Sequence, residues 1–177
     1  MNRGTIAIAV LLSAHSFAHA EKISLNVGEP FTKARAKLYA DGWHADPLAH
    51  AASGEYMGLD RKLIQSGYSE VEYCSVGKSF CVLQYTRGKE CLRLQTQGEQ
   101  IRSMKVEHWS SDCREHGADE APNLLPADVR YAAQWRSDCE NFGQCEGVDR
   151  FLLKLKKKYA RDPAVMKVLK SWAPARP

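Results

Sequence analysis

Residues 70–109, "EVEYCSVGKSFCVLQYTRGKECLRLQTQGEQIRSMKVEHW", contain four runs with glycine-bearing turn signals between them. The runs 70–76, 79–86, 89–96 and 101–109 read as strands. The dipeptides Gly77-Lys78, Arg87-Gly88 and Gly98-Glu99 read as the turns between them. Four strands in succession make an antiparallel meander. A two-residue turn at Gly77-Lys78 sets opposite one another those residues whose numbers sum to 155, so Cys74 faces Cys81. Directly opposed residues have Cα atoms about 4.5–5.5 Å apart, within reach of a disulfide.

The sequence holds six cysteines, Cys74, Cys81, Cys91, Cys113, Cys139 and Cys145. Six cysteines allow 15 pairings and sequence alone selects none of them. Local geometry favours Cys74–Cys81 across the first hairpin, Cys91–Cys113 tying the third strand to the segment leaving the sheet, and Cys139–Cys145 within "CENFGQC". No Cys-x-x-Cys is present, so a thioredoxin-like redox site lacks its motif. Cys113 and His116 have a C-x-x-H spacing without a second such pair, and a structural disulfide is expected there rather than zinc. No metal and no cofactor is expected.

Upstream of the meander, "ISLNV" at 23–27 alternates and predicts a short strand. "GEPFTKARAKLYADGW" predicts a helix. Pro30 suits its first turn, Phe31, Ala34 and Leu38 share a face, Gly42 ends it and Trp43 folds back on Leu38. A second, short helix is expected at 59–65, stopped by Ser66-Gly67.

Downstream, "HGADEAPN" at 116–123 is a linker by composition. Three helices follow. The first starts at Pro126 and carries Val129, Ala132 and Trp135. The second carries Val148, Phe151, Leu152, Leu155 and Tyr159 on one stripe. The third is capped by Asp162, has Pro163 at its first position, and shows Val165, Met166, Leu169 and Trp172.

The first twenty residues, "MNRGTIAIAVLLSAHSFAHA", have a positive start, a seven-residue apolar run at 6–12 and a small-x-small site at Ala18-His19-Ala20. That pattern predicts a secretory signal cleaved after Ala20. An even cysteine count fits export to the periplasm or beyond. The expected organisation is a signal at 1–20, an α+β module at 21–115, a linker at 116–124 and a basic helical segment at 125–177. The fold class is α+β: a helix–loop–helix on a four-stranded antiparallel meander, followed by a small disulfide-tied helical appendage.

"VGEPFTKARAKLYADGW" followed by "GYSEVEYCSVGKSFCVLQYTRGKECLRLQTQGE" resembles a type of small exported proteobacterial protein. These combine a G-x-x-[FY]-x-x-A-R-x-x-L-x-x-x-G-W helix with a cysteine-bearing hairpin. The helix–loop–helix and four strands are also similar to one repeat of the β-lactamase-inhibitor-protein fold. The resemblance covers residues 23–113 and brings no catalytic residue to this chain.

Charge is distributed unevenly. Residues 21–125 carry 13 Lys/Arg and 15 Asp/Glu, whereas residues 126–177 carry 11 and 6. Within 150–177, nine cations face one acid, Asp162. Lys154, Lys156, Lys157, Lys158 and Arg161 surround the face opposite Leu152, Leu155 and Tyr159, and read as a solvated face or an anion-binding surface. No nucleic-acid partner is expected, because exported chains rarely meet nucleic acid and no stacking aromatics interleave with these lysines.

Other candidate chemistry is sparse. "HADPLAH" offers His44, Asp46 and His50 near Glu55 and Asp60, but without helical spacing of the histidines. His108 neighbours Ser110, Ser111 and Asp112 without a nucleophile motif. Trp43, Trp109, Trp135 and Trp172 sit at element ends and suit a core. The function expected is that of an exported, non-enzymatic periplasmic binding protein: an inhibitor, an immunity factor or an envelope-associated factor. Its meander face with Tyr73, Tyr85 and Trp109, together with the basic segment, would meet a protein partner or an anionic envelope component. The alternative is an envelope hydrolase working on wall or glycan through His44, Asp46 or His108.

Overall fold

The computed structural model describes residues 23–46, 48–50, 55–113 and 125–172. The expected signal at 1–20 and linker at 116–124 lie outside them. The chain forms α1 (Phe31–Ala40), β1 (His44–Ala45), α2 (Gly58–Gln65), β2 (Val71–Cys74), β3 (Phe80–Arg87), β4 (Glu90–Gln97), β5 (Lys105–Ser110), α3 (Ala127–Phe142), α4 (Val148–Lys158) and α5 (Pro163–Ser171). The architecture is the expected α+β one. The sheet is antiparallel in the order β1-β3-β4-β5, and β2 shares with β1 the outer edge of β3.

Both helices of the helix–loop–helix stop in the same way. After α1, the Trp43 N–H donates to Leu38 O at 2.9 Å and Gly42 N–H to Tyr39 O at 3.2 Å, with Gly42 at φ +80°. After α2, Tyr68 N–H donates to Leu63 O at 3.0 Å and Gly67 N–H to Ile64 O at 3.1 Å, with Gly67 at φ +89°. These are paired Schellman closures. Each delivers an aromatic residue back to the core, Trp43 fully and Tyr68 in part. Positions of the glycine–aromatic–Ala-Arg pattern thus hold structural places: Phe31, Ala34 and Leu38 are buried, and Gly42 and Trp43 end the helix.

Arg35 of that pattern forms an ion pair with fully buried Glu70. Its guanidinium lies over the Tyr39 ring at 4.4 Å and the Tyr68 ring at 4.9 Å, and Tyr85 Oη donates to the same carboxylate at 3.3 Å. Burial and the Glu70 charge push the Tyr85 phenol well above its usual range.

The hairpin register follows the pair sum of 155 at Cys74↔Cys81 and Tyr73↔Val82, with a bulge between Val71 and Tyr73. The three expected disulfides, Cys74–Cys81, Cys91–Cys113 and Cys139–Cys145, are present. Three local expectations need correction. Residues 23–27 form no strand: Ser24 O accepts from Lys37 Nζ at 3.1 Å, Asn26 N–H donates to Glu29 Oε1 at 2.8 Å, and the backbone bonds to β5 are those of Gly28 N–H to Val106 O and Val106 N–H to Glu29 O. The second hairpin turns at Gly88-Lys89, one residue later than expected, because Arg87 pairs with Glu90. Gly88 takes φ +61° there. Finally, β5 starts at Lys105 rather than at 101, since Ile101–Ser103 forms a 3₁₀ turn. Gly98 makes that turn possible: a Cβ on it would lie 2.8 Å from Met104 Cα and Ser103 O.

Leu83, Tyr85, Leu92, Leu94 and Val106 line the inner sheet face and join Phe31, Leu38, Leu63 and Ile64 in one buried cluster. The same cluster continues through Val129, Tyr131, Phe151, Leu155, Val165 and Leu169. The C-terminal helices therefore extend the core of the module.

Candidate functional site

The C-terminal helices are held by aromatic packing and by paired charges. Tyr131 of α3 meets Tyr56 at 5.3 Å, Trp135 at 5.5 Å and Phe151 of α4 at 5.4 Å, ring centroid to centroid. Its hydroxyl accepts from Gln65 of α2 at 2.7 Å, and burial pushes its pKa up to about 12. Arg61 of α2 pairs with Asp138 of α3 at 2.6 Å. At the far end, Asp128 in the first turn of α3 accepts from Lys158 Nζ at 2.7 Å and from Tyr159 Oη at 2.8 Å. Its side chain is only 7% exposed. Burial first, and the Asp128 charge second, push the Tyr159 phenol above its usual range.

These contacts set the direction of the basic residues. On α4, Val148, Phe151, Leu152 and Leu155 are buried. At 3.6 residues per turn the opposite side falls on Arg150, Leu153, Lys154 and Lys157. All four are exposed, Leu153 by 67%. Arg161 follows in the turn and is exposed, as are Lys167 and Lys170 of α5, while Lys156 is half-buried at the flank. Asp162, next to Arg161, accepts from the backbone N–H of Ala164 at 3.1 Å and Val165 at 3.0 Å, so it serves as the α5 cap, while Asp149, next to Arg150 on α4, is exposed. Among the described residues no ion pair engages Arg150, Lys154, Lys156, Lys157, Arg161, Lys167 or Lys170. Lys158 departs from the expected set, because its charge is committed to Asp128.

The expected aromatic surface is corrected. Tyr85 is fully buried on the inner face of the sheet and meets no solvent. Trp109 pairs with Leu94, an inner-face residue, and packs partly against the core from edge strand β5. Tyr73 lies opposite Val82 on the outer face, edge-on to Phe80 at 6.1 Å. The three aromatics share no surface. Tyr73 instead borders a shallow outer depression of about 100 Å³ with Val82, Arg93, Gln95, His108 and Ser110. Arg93 is tied there to Glu72 by hydrogen bonds of 2.9 Å.

Nor do the hydrolase candidates converge. His44 lies on β1 and His108 on β5, at opposite margins of the sheet, three strand spacings apart and offset by four residues along the strands (Cys91 against Gln95 of β4), a separation of about 20 Å. Asp46 is buried and accepts from Gln84 Nε2 at 2.9 Å and Leu48 N–H at 2.8 Å. His50 stacks on Tyr56 at 3.6 Å, with Nδ1 2.6 Å from Glu72 O. No hydrogen bond joins His108 to Ser110, Ser111 or Asp112 among the described residues. Asp60 is buried, and burial pushes its pKa up to about 6, with the Cys74 and Met57 backbone N–H groups pulling the other way. Cys113 is bonded to Cys91, and among the described residues no three His, Cys, Asp or Glu gather to hold a metal. No described helix is long and apolar enough to cross a membrane.

Lys167 and Lys170 belong to the exposed basic surface although the lysine run at 154–158 draws the eye first. Their signal is the spacing Pro163, Met166, Lys167, Lys170, which places all four on one helical face. No protein-family model, curated protein or solved structure matches this chain.

Proposed function

We propose that this is an exported, non-enzymatic envelope-associated protein that binds an anionic surface through the outer side of α4 and α5. One observation carries the reading: seven cations gather on two adjacent helices and the turn between them, the apolar stripes of both helices are used up in the core, and none of the seven has an ion-pair partner among the described residues. A face that only needed solubility would suit mixed charge. A face on which seven cations meet one exposed acid of α4, Asp149, supplies steering and contact toward an anionic polymer or lipid head groups. Three disulfides suit an oxidising compartment.

The test is co-sedimentation with phosphatidylcholine vesicles, with and without phosphatidylglycerol, from about 0.01 M to about 0.15 M salt. Binding should require the anionic lipid and fall steeply as salt rises. Arg150→Glu/Lys154→Glu/Lys157→Glu should weaken it on the order of 100-fold, from about 1 kcal/mol per cation near the surface. Binding that ignores both salt and the charge reversal removes the proposal.

A further inference from the structure

Where α4 turns into α5, the surface opens into a crevice of roughly 570 Å³ lined by Ala160, Arg161, Pro163, Met166, Lys167 and Lys170. Its composition is specific. Three of the six lining residues are cations and none is an acid. Asp162, the acid adjacent in sequence, is occupied by the α5 backbone. The other three residues are apolar, and Met166 packs partly against the core, which fixes it as a wall of the crevice.

We propose that this crevice binds the phosphomonoester head group of a lipid, with the phosphate on Arg161, Lys167 and Lys170 and the first carbons of the lipid along Met166, Pro163 and Ala160. A phosphomonoester carries between one and two negative charges near neutral pH and three strong acceptor oxygens. Arg161 offers a planar pair of donors, and the two lysines add mobile point charges. Lys167 and Lys170 lie three residues apart on α5, hence on one helical face. The apolar wall argues for a lipid over free phosphate: a fully hydrated phosphate gains nothing from Met166, whereas a lipid's carbons leave water against it. This rests on the anionic-surface reading and names the head group that surface selects.

The probe is dihexanoyl phosphatidic acid kept below its micelle concentration, titrated calorimetrically into the full mature chain. Inorganic phosphate and dihexanoyl phosphatidylcholine serve as comparisons. Phosphatidic acid should bind more tightly than either. Lys167→Gln/Lys170→Gln should weaken it roughly thirtyfold, for two cations lost. Met166→Gln should weaken phosphatidic acid several-fold and leave inorganic phosphate unchanged. Equal affinity for phosphate and phosphatidic acid, or indifference to Lys167→Gln/Lys170→Gln, overturns the inference. If anionic vesicles still bind in that event, the broader α4–α5 reading stands. If the short-chain lipid binds while vesicles do not, the crevice stands and the broader reading falls.

Discussion

Among the described residues the α+β module pairs Arg35, Lys37, Arg61, Arg87 and Arg93 with carboxylates and leaves Lys33, Lys62, Lys78, Lys89, Arg102 and Lys105 without an ion pair, whereas α4–α5 pairs Lys158 alone. In the module, Arg35 reaches buried Glu70 between two tyrosine rings, Lys37 reaches Glu29 at 2.7 Å, and Arg93 reaches Glu72 at 2.9 Å. Arg35 and Arg93 reach across 35 and 21 residues of chain, and Lys37 across 8 to the residue before the cap of its own helix. On α4–α5 a single lysine, Lys158, is paired in this way among the described residues, and its neighbours face water. The paired cations are part of the fold, and their carboxylates would be costly to leave alone. The unpaired ones can be removed without exposing a buried partner, which is what a contact surface permits. Position in a charge run therefore says less about a lysine's role than what its head group touches.

The strongest way to break this contrast is at Arg35. Arg35→Ala strands the Glu70 carboxylate in the core, and unfolding free energy should fall by about 3–5 kcal/mol. Chemical denaturation measures it, and a loss below 1 kcal/mol would place Arg35 with the surface cations. The disulfides sharpen the contrast by region. Cys91–Cys113 spans 22 residues and Cys139–Cys145 spans 6. Chain entropy then predicts losses of about 3 and about 2 kcal/mol when each pair is replaced by alanine. Reversal of that order would show that the C-terminal staple does more than close a loop.

A smaller effect comes from Asp60, a buried module acid that is paired with no cation among the described residues. Folded Asp60 keeps its proton up to about pH 6, whereas the ordinary value is 3.8. The folded state thus binds the extra proton between those values, and stability falls as pH rises through that window. Asp60→Asn should flatten that slope and raise stability at pH 7 by about 1–3 kcal/mol. An unchanged pH profile would remove Asp60 as its source. Smallest among the stability effects is Lys158→Gln, which leaves Asp128 with Tyr159 alone and should cost about 1 kcal/mol, more than Lys157→Gln, which should stay within about 0.5 kcal/mol.

Much of this was readable in the residues themselves. Asp41-Gly42-Trp43 and Ser66-Gly67-Tyr68 announce helix ends because only glycine takes the required backbone without strain. The Val148–Phe151–Leu152–Leu155 stripe and the Asp162-Pro163 cap depend on local spacing alone, and both are found. The Cys74↔Cys81 register follows from one turn. That same register puts Tyr73 opposite Val82, away from Tyr85, so the split of the aromatics was available from the pair sum. Other features depended on contacts distant in sequence. Met104 is buried and its carbonyl accepts from Phe31 N–H at 2.9 Å, which draws residues 101–103 out of the strand. Lys158 looked like any other lysine of its run until Asp128, thirty residues earlier, came within 2.7 Å.

On the proposed reading, the outward cations of α4, and not the paired Lys158, bind an anionic surface. The most direct test compares wild type, Arg150→Glu/Lys154→Glu/Lys157→Glu and Lys158→Gln on phosphatidylglycerol-containing vesicles across a salt series. Wild type and Lys158→Gln should bind with steep salt dependence, and the triple variant should lose nearly all binding with no change in its unfolding midpoint. Retained binding by the folded triple variant at low salt would contradict that reading.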